Sequence, residues 1–414
     1  MSFSLFSYLP SPPDPALRQP YTSSAFFPLV LGHYALAILA ILPHTFIFRI
    51  SLLPIVLWQA WRCAVGLSLS EGVAQLLGLE SAERLNYFNV PYMIGVFVIV
   101  TRSFDWTFVK KPLRRYEPLA EGQKTLIERP LSPGNVFLDA FELLFNLRGI
   151  GWSWSSKPFP YYLSSSPTAS PSLTSILLKM IYKFVLFDIL VYLVQYLRPS
   201  TNDPKGDTLF DPNLSLVPRW ALANFFALCG GMIIYTTIDA SYHFATLIGR
   251  VVLRQSAWQW PPLSDRPWVA TSITQFWSFR WHQFFRHIFV VFGARPGGKL
   301  LGHPGALMGA FVVSGYMHYI GIWGLGRGTD FFTAGAFFPI MGVGTVVEWG
   351  LKKATGLRVG GLLGWTWTMV WTISWGTLML DGWARRGVIA CDFFPYGMRP
   401  GKMIVDAIIG LVLI

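Results

Sequence analysis

The sequence contains few charged residues for its length. Asp, Glu, Lys and Arg together make up 13% of its 414 residues, whereas soluble globular proteins carry about 25%. Apolar residues account for 53% of the chain, and the mean hydropathy is positive. This composition excludes an ordinary soluble protein and predicts an integral membrane protein.

Cysteine is also scarce, and the three cysteines are far apart. Cys63, Cys229 and Cys391 form no CxxC pair and have no Cys/His spacing of the kind that binds zinc. We therefore expect neither a disulfide framework nor a metal site. Residues 1–25 are rich in Pro, Ser and Tyr and lack a basic start followed by a short apolar stretch, so a removable signal peptide is not expected.

Acidic residues are outnumbered by basic ones, 21 to 33, which gives a formal net charge of +12. The excess Lys and Arg lie in loops between apolar segments, not on one contiguous basic domain, so a nucleic-acid partner is not expected. Short basic loops of membrane proteins face the cytosol. This rule predicts that 107–172, 250–304 and 352–358 are cytosolic and that 198–216 lies on the opposite side.

Long apolar segments recur along the chain and are candidates for membrane-spanning helices. They predict an all-α, polytopic membrane protein with eight to ten transmembrane helices and additional interfacial helices. We expect an N-terminal segment over 1–25 and a single membrane-embedded domain over 26–414. The candidate segments are 27–43, 45–62, 64–79, 88–106, 173–197, 218–249, 305–325, 331–350, 362–380 and 403–414.

The stretch "QFWSFRWHQFFRH", residues 275–287, combines aromatic, Arg and His residues. Helical spacing over 275–289 puts its aromatic side chains on one face, with His282 and Arg286 on the opposite face. That profile predicts a helix lying in the membrane interface. One alternative gives the histidine and arginines only surface roles, and the other gives them roles in catalysis and binding. The aromatic face consists of Trp277, Trp281, Phe284, Phe285 and Ile288.

The surrounding segment, 251–304, holds six cations and the single acid Asp265. Such a segment is typical of a cytosolic loop near anionic lipid. It is also suited to a polyanionic co-substrate such as coenzyme A, whose phosphates favour arginine donors. The glycines of "GARPGG", residues 293–298, predict flexible backbone that approaches a phosphate closely. The cations are Arg254, Arg266, Arg280, Arg286, Arg295 and Lys299.

His318 lies in "SGYMHYIGIW", residues 314–323, inside a predicted transmembrane helix. An ionisable residue at that depth indicates function. Its helical neighbours Ser314, Gly315 and Gly321 are small and leave space either for a partner helix or for a substrate. A neutral histidine can accept a proton from a hydroxyl nucleophile at neutral pH.

Other ionisable residues in or near the predicted spans carry less information. Asp239 and His243 are four residues apart on a helix and are best interpreted as a structural pair. Isolated acids at such depth can mark a transport pathway, but Asp188, Glu348 and Asp381 share no common spacing.

The segment 260–287, "WPPLSDRPWVATSITQFWSFRWHQFFRH", followed by "SGYMHYIGIW", resembles the membrane-bound O-acyltransferase superfamily. The resemblance is greatest to the wax-synthase-like branch, which includes fungal enzymes that acetylate terpenoid and meroterpenoid alcohols. The upstream segment 138–154, "LDAFELLFNLRGIGWSW", is similar to another part of that branch. The signature region is 138–325, and the resemblance extends from residue 138 to the C-terminus in order and spacing.

By this resemblance, His318 is the intramembrane catalytic histidine, the base toward the acceptor hydroxyl. Many members carry Asn or Asp where this sequence has His282, so its role is open between polarising the thioester, binding the acyl donor and orienting neighbours. We assign Arg280, Trp281, Arg286, Arg295 and Lys299 to donor binding, and Trp277, Ser314, Gly315 and Gly321 to a substrate tunnel.

The resemblance implies acyl-CoA as co-substrate, no permanently bound cofactor, no metal and an endoplasmic reticulum location, with a tunnel between donor and acceptor. The sequence thus predicts an enzyme that transfers an acetyl group from acetyl-CoA to a hydroxyl of a lipophilic molecule, a terpenoid of secondary metabolism. A long-chain acyltransferase that makes wax or sterol esters is the nearest alternative. A transporter or lipid-binding membrane protein without chemistry is the alternative of another class.

Overall fold

The computed structural model describes residues 17–118, 126–155, 171–391 and 399–412. Helices dominate these residues, and the strands among them form only two short pairs. The prediction of an all-α polytopic membrane protein is confirmed. Most of the N-terminal segment 1–25 and the Ser/Pro-rich end of 107–172 lie outside the described residues.

Eight helices of the described residues have 19 or more residues. A 19-residue helix is about 28 Å long at 1.5 Å per residue, which is close to the thickness of the bilayer core. Five of them, those that begin at Ser23, Phe46, Asn89, Leu216 and Arg295, lie in stretches long and apolar enough to cross a membrane. The eight are α1 (Ser23–Ile41), α2 (Phe46–Gly66), α4 (Asn89–Phe108), α6 (Leu173–Leu197), α7 (Leu216–Val251), α8 (Arg295–Trp323), α9 (Phe337–Thr355) and α10 (Gly361–Ala384).

Shorter elements connect the long helices. They include α3 (Leu69–Leu77), α5 (Pro133–Phe145) and α11 (Pro400–Val412), the short helices Ile273–Gln275, Arg286–Phe289 and Phe331–Ala334, the 3-10 helices Glu83–Phe88, Pro199–Asn202, Ala257–Gln259 and Pro267–Val269, and the π-helices Phe276–Arg280 and Val290–Ala294. Strand Gln19–Pro20 pairs in parallel with Leu67–Ser68. Strand Tyr116–Pro118 pairs antiparallel with Leu126–Glu128.

Three predicted spans differ from the structure. The described part of 403–414 belongs to α11, which has 13 residues and is too short to cross a bilayer. The span 64–79 is wrong, because α3 has only nine residues and is too short to cross a bilayer. The span 331–350 is divided into a short helix and α9. The chain bends between them because the Gly335 backbone packs directly on Gly315, where a Cβ at position 335 would lie 2.3 Å from the Gly315 carbonyl oxygen.

The chain over 286–323 folds into a helical hairpin. It turns inside α8 at Gly302, whose φ of 64° is in the left-handed region that favours glycine. The residues of α8 are therefore two helical pieces on either side of Leu301 and Gly302, not one straight helix. The two legs approach so closely that a Cβ at Gly297 would lie 2.1 Å from the carbonyl oxygen of Gly305. The prediction that "GARPGG" is flexible, phosphate-approaching backbone is therefore wrong for these glycines, which permit contact between helices. The close pairs are Gly293 with Gly309 and Gly297 with Gly305.

Loop contacts define the two ends of the helix bundle. At one end, His303 near the hairpin turn lies with its ring centroid 5.6 Å from that of Trp349 in the last two turns of α9. At the other end, the hydroxyl of Thr208 donates a hydrogen bond to Asp381 of α10 at 2.6 Å. The hairpin turn and the loop after α9, both predicted as cytosolic, therefore share one end. The loop 198–216 lies at the opposite end, as the charge rule predicts.

Candidate active site

His318 lies on α8 with both its orientation and its tautomer defined. Its Nδ1 is 2.8 Å from the backbone carbonyl oxygen of Ser314. Because a carbonyl oxygen only accepts hydrogen bonds, Nδ1 carries the proton, and Nε2 of the neutral ring keeps its lone pair. The imidazole stacks on Phe338 at a centroid distance of 3.9 Å, and Trp383 lies parallel to it at 6.2 Å. The ring is thus held between aromatic side chains with Nε2 as its basic atom.

The glycines near His318 make room for neighbouring backbone and helices. A Cβ at Gly315 would lie 2.7 Å from the carbonyl oxygen of Gly335, and one at Gly321 would lie 3.2 Å from Val90 and Ile94 of α4. The small residues therefore serve the packing alternative considered for them. The assignment of Gly315 and Gly321 to a substrate tunnel stays a prediction, and Ser314 contributes its carbonyl oxygen to His318.

Residues 273–289, called the signature segment below, do not form the continuous interfacial helix predicted for 275–289. It consists of a one-turn helix, a π-helix that ends at Arg280, an irregular stretch and a second short helix that begins at Arg286. Gln283 interrupts helical bonding because its side-chain amide donates to the carbonyl oxygens of Trp277 and Trp281, at 3.1 and 2.8 Å. The predicted aromatic face does not form, and Trp277 points inward onto Phe311, Phe337 and Phe338.

Glu348 of α9 anchors the start of this segment. Its carboxylate accepts hydrogen bonds from the backbone N–H groups of Ile273 and Thr274 at 2.7 and 2.9 Å, and from the Thr274 hydroxyl at 2.7 Å. The indole of Trp367 donates to it at 3.1 Å. A buried acid at a helix N-terminus is stabilised by the exposed N–H groups. From the sequence alone, Glu348 was only an isolated intramembrane acid.

His282 lies in the irregular stretch, enclosed by aromatic rings. Trp281, Phe284 and Phe285 are 5.6, 6.2 and 6.0 Å away between ring centroids. Its Nδ1 is buried without a hydrogen-bond partner. Burial, followed by the nearby charge of His318, lowers the pKa of His282 to about 3. The ring is therefore neutral at pH 7.

A continuous series of aromatic contacts connects the two histidines. Trp277 occupies its centre, 5.9 Å from Phe338 on one side and 6.0 Å from Trp281 on the other. The complete series is His318, Phe338, Trp277, Trp281 and His282. Residues 36 positions apart in the sequence are thereby connected through packed aromatic rings.

The predicted donor-binding cations fall into two groups. Arg280 pairs with Asp265 at 3.2 Å, and Arg286 donates to the Ser278 carbonyl oxygen at 3.2 Å, so both stabilise the signature segment. Arg295 and Lys299 are exposed on the first leg of the hairpin, and neither has an ion-pair partner among the described residues. These two cations are the ones available to a soluble anion.

His287, the second histidine of the stretch 275–287, connects the site to the upstream segment 138–154. Its Nε2 is 2.8 Å from a carboxylate oxygen of Asp105 on α4, and its ring meets the edge of Trp154 at 4.6 Å. Arg148 donates to the carbonyl oxygen of Pro261 at 2.8 Å. The segments 138–154 and 260–287, singled out separately in the sequence, are therefore in contact. No local sequence signal indicated the Asp105 partner.

The segment that contains both histidines also matches a known family. Residues 260–340 match the model of the membrane bound O-acyl transferase family. The resemblance to the membrane-bound O-acyltransferases is thus confirmed. Both histidines, the hairpin and the aromatic contacts between them lie within the matched residues.

Individual relatives extend the similarity beyond this segment. The chain is 26% identical over 297 residues to an O-mevalon transferase of Penicillium terrestre, which covers 63% of this chain and 64% of the relative. It is 24% identical over 282 residues to an acetyltransferase of Aspergillus fumigatus, covering 63% and 46%. It is 32% identical over 106 residues to a long-chain-alcohol O-fatty-acyltransferase of Simmondsia chinensis, covering 24% and 30%. In each case the chain spans less than two thirds of the relative's length.

Proposed function

We propose that this protein is an acyl-CoA:alcohol O-acyltransferase with His318 as its general base. The observation that carries the proposal is the hydrogen bond from Nδ1 of His318 to the Ser314 carbonyl oxygen at 2.8 Å. It leaves Nε2 as a lone-pair acceptor inside an aromatic compartment of a membrane helix. His243 makes the same kind of bond, but it lies outside residues 260–340, the segment that matches the acyltransferase family and contains His318.

The reaction requires positioning, one proton transfer and charge stabilisation. The acceptor hydroxyl donates to Nε2 of His318, and its oxygen attacks the thioester carbonyl carbon as the proton moves to the imidazole. The carbonyl π electrons move to the oxygen. When the tetrahedral intermediate collapses, the C–S bond breaks and the CoA thiolate takes the proton from the imidazolium. The thioester is already activated, so direct attack needs no acyl-enzyme intermediate.

His282 contributes to this reaction as a neutral ring. Its pKa is lowered to about 3, so it is neither a cation nor a partner that loses a proton near pH 7. A neutral imidazole can donate one hydrogen bond and accept another. We assign His282 to orienting the acyl thioester beside His318. The sequence alone does not decide the role of this residue.

Arg295 and Lys299 are the proposed contacts for the phosphates of the CoA donor. Both are exposed on the hairpin leg that follows the signature segment, at the end of the bundle predicted to face the cytosol. Arg280 and Arg286 are already engaged by protein oxygens, so we assign them to holding the segment. We place the protein in the endoplasmic reticulum membrane, where cytosolic acyl-CoA has access to this end.

We propose acetyl-CoA as the donor and a lipophilic, terpenoid-like alcohol as the acceptor. The relative from Aspergillus fumigatus is named an acetyltransferase, which supports the acetyl group. A long-chain donor is the second candidate, because the relative from Simmondsia chinensis is named a long-chain-alcohol O-fatty-acyltransferase. Membranes that contain the protein should be incubated with acetyl-CoA or palmitoyl-CoA and a panel of terpenoid, sterol and fatty alcohols. Ester formation from palmitoyl-CoA alone would overturn the acetyl proposal.

A further inference from the structure

Trp277 carries a buried hydrogen-bond donor that the fold leaves unused. Its indole Nε1 is inaccessible to solvent and has no hydrogen-bond partner among the residues that the structure describes. An indole N–H only donates, and leaving a buried donor unpaired costs about 1–3 kcal/mol. Such a group in a native structure calls for an explanation. The Trp277 carbonyl oxygen, by contrast, is bound by Gln283 at 3.1 Å.

The position of this donor is tied to both histidines. The Trp277 ring contacts Phe338, the ring on which His318 stacks, and Trp281, the ring beside His282. Phe311 and Phe337 enclose its other sides. The ring that carries the unpaired N–H therefore packs between the rings that contact the proposed base and the proposed thioester-orienting residue, in surroundings that strengthen any hydrogen bond it makes.

Several other side chains near the site are bound to protein oxygens, although the Nε atoms of Arg280 and Arg286 are, like the Trp277 nitrogen, buried without a partner among the described residues. The Gln283 amide serves two carbonyl oxygens, Arg286 donates to Ser278, and Arg280 pairs with Asp265. The neutral ring of His282 keeps the thioester-orienting role assigned to it above. The reaction proposed above nonetheless places negative charge on the thioester oxygen, and preorganised donors at that atom supply much of enzymatic rate enhancement.

Trp371 offers the closest comparison. Its Nε1 is likewise buried without a partner, and it packs on the same group of Phe337, Phe338 and Met341. However, this nitrogen faces Gly344, where an added Cβ would lie 3.0 Å from it. The ring contacts of Trp371 are with Trp367 and Trp375, not with the residues that connect the histidines.

We propose that the indole N–H of Trp277 donates a hydrogen bond to the thioester carbonyl oxygen as it becomes the oxyanion of the tetrahedral intermediate. The C=O electron pair shifts to this oxygen during attack and returns when the CoA thiolate leaves, so the indole itself exchanges no proton. This role rests on the proposed acyl transfer and adds an oxyanion donor to it.

The test replaces one nitrogen with sulfur in the full-length protein. Benzothienylalanine at position 277, introduced by codon reassignment, keeps the bicyclic shape and removes the N–H. We expect kcat to fall roughly 10²-fold, the typical effect of one oxyanion donor, with KM for acyl-CoA and acceptor unchanged. The same replacement at position 371 serves as the matched control and should leave kcat near that of the wild type.

Each outcome separates the donor role from packing. Full kcat with benzothienylalanine at 277, combined with a loss in Trp277→Phe, would assign Trp277 to packing and overturn the inference. Equal losses at 277 and 371 would also overturn it. If the wild-type protein transfers no acyl group to any acceptor, the proposed function itself fails. If the wild type is active, His318→Ala is inactive and the substitution at 277 is silent, only the oxyanion role fails.

Discussion

The imidazole of His318 stacks on the ring of Phe338 at a centroid distance of 3.9 Å, with 22° between the two planes. His318 comes from α8 and Phe338 from the first turn of α9, so the orientation of the base depends on the packing of two helices. The hydrogen bond from Nδ1 to Ser314 defines the tautomer of His318, and the stacked Phe338 ring restricts rotation of the imidazole. Chemistry at His318 is therefore sensitive both to the residue itself and to the elements that support it.

Replacing His318 with Ala should remove the base. General-base catalysis typically contributes about 10²–10⁴-fold to a rate, and we expect a loss of kcat in that range with the protein still monodisperse in detergent. The measurement is steady-state transfer from acyl-CoA to the acceptor identified in the alcohol panel.

His243→Ala is the matched control for that substitution. His243 also lies in a long membrane helix, and its Nδ1 is 2.7 Å from the carbonyl oxygen of Asp239 four residues before it. It pairs with Asp239 in a structural arrangement, as the sequence suggested, and should not be needed for turnover. Full activity of His318→Ala would remove this histidine from the mechanism and favour a non-catalytic membrane protein.

Glu348→Gln should loosen the start of the signature segment. The amide keeps one acceptor oxygen but turns an NH₂ group toward donors that now bind the carboxylate. Hydrogen bonds to charged groups contribute about 1.5–3 kcal/mol each, so we expect a lower Tm in detergent together with reduced kcat. Glu80→Gln, at an exposed position, is the control. An unchanged Tm and kcat for Glu348→Gln would show that this anchor is dispensable.

The double substitution Arg295→Ala with Lys299→Ala should weaken binding of the CoA donor. We expect KM for acyl-CoA to rise while kcat changes little, because these cations contact phosphates remote from the reacting carbon. With a 3′-dephospho-CoA thioester as the donor, the double substitution should raise KM by a smaller factor if the 3′-phosphate is the group that these two cations bind. Lys205→Ala, which removes an exposed charge at the opposite end of the bundle, is the control. Equal KM values for the wild type and the double variant would assign these cations to lipid or topology.

Gly297→Ala should destabilise the hairpin that carries His318. The new Cβ would lie 2.1 Å from the carbonyl oxygen of Gly305, so the two legs must separate. Overpacking of this kind typically costs about 1–3 kcal/mol, and we expect a lower Tm. Gly231→Ala is the matched control, because no atom lies within 4 Å of its added Cβ and alanine favours a helix. Similar Tm values for the two variants would contradict close packing of the legs.

The pKa of His282 predicts a specific pH dependence of stability. Burial lowers this pKa from 6.5 to about 3, so between these values the unfolded chain binds more protons than the folded protein. Stability contributed by this position therefore rises with pH across that window and is lost on acidification. The Tm of the wild type in detergent should fall more steeply between about pH 6.5 and 4.5 than that of His282→Gln. Parallel Tm curves would show that His282 is accessible to protons in the folded state.

The sequence by itself identified the membrane environment of the protein and its candidate catalytic residues. Low charge and recurrent apolar segments are sufficient to predict a helical membrane protein, because a bilayer requires about 20 apolar residues for each crossing and satisfies no backbone polar group. Charge asymmetry was sufficient to assign loops to the two ends of the bundle. His318 was identifiable because an ionisable residue deep in an apolar segment is energetically costly.

Only the tertiary structure decided how the site is assembled. Local periodicity predicted a continuous helix over 275–289, whereas a Gln283 side chain and the Glu348 carboxylate capture backbone groups and break it into short pieces. Likewise, the sequence shows that the residues beside His318 are small, but not what packs against them. In the structure, Gly335 and α4 pack there. The contact of His287 with Asp105 joins residues 182 positions apart. Such pairings depend on packing between distant segments, for which a helical repeat carries no information.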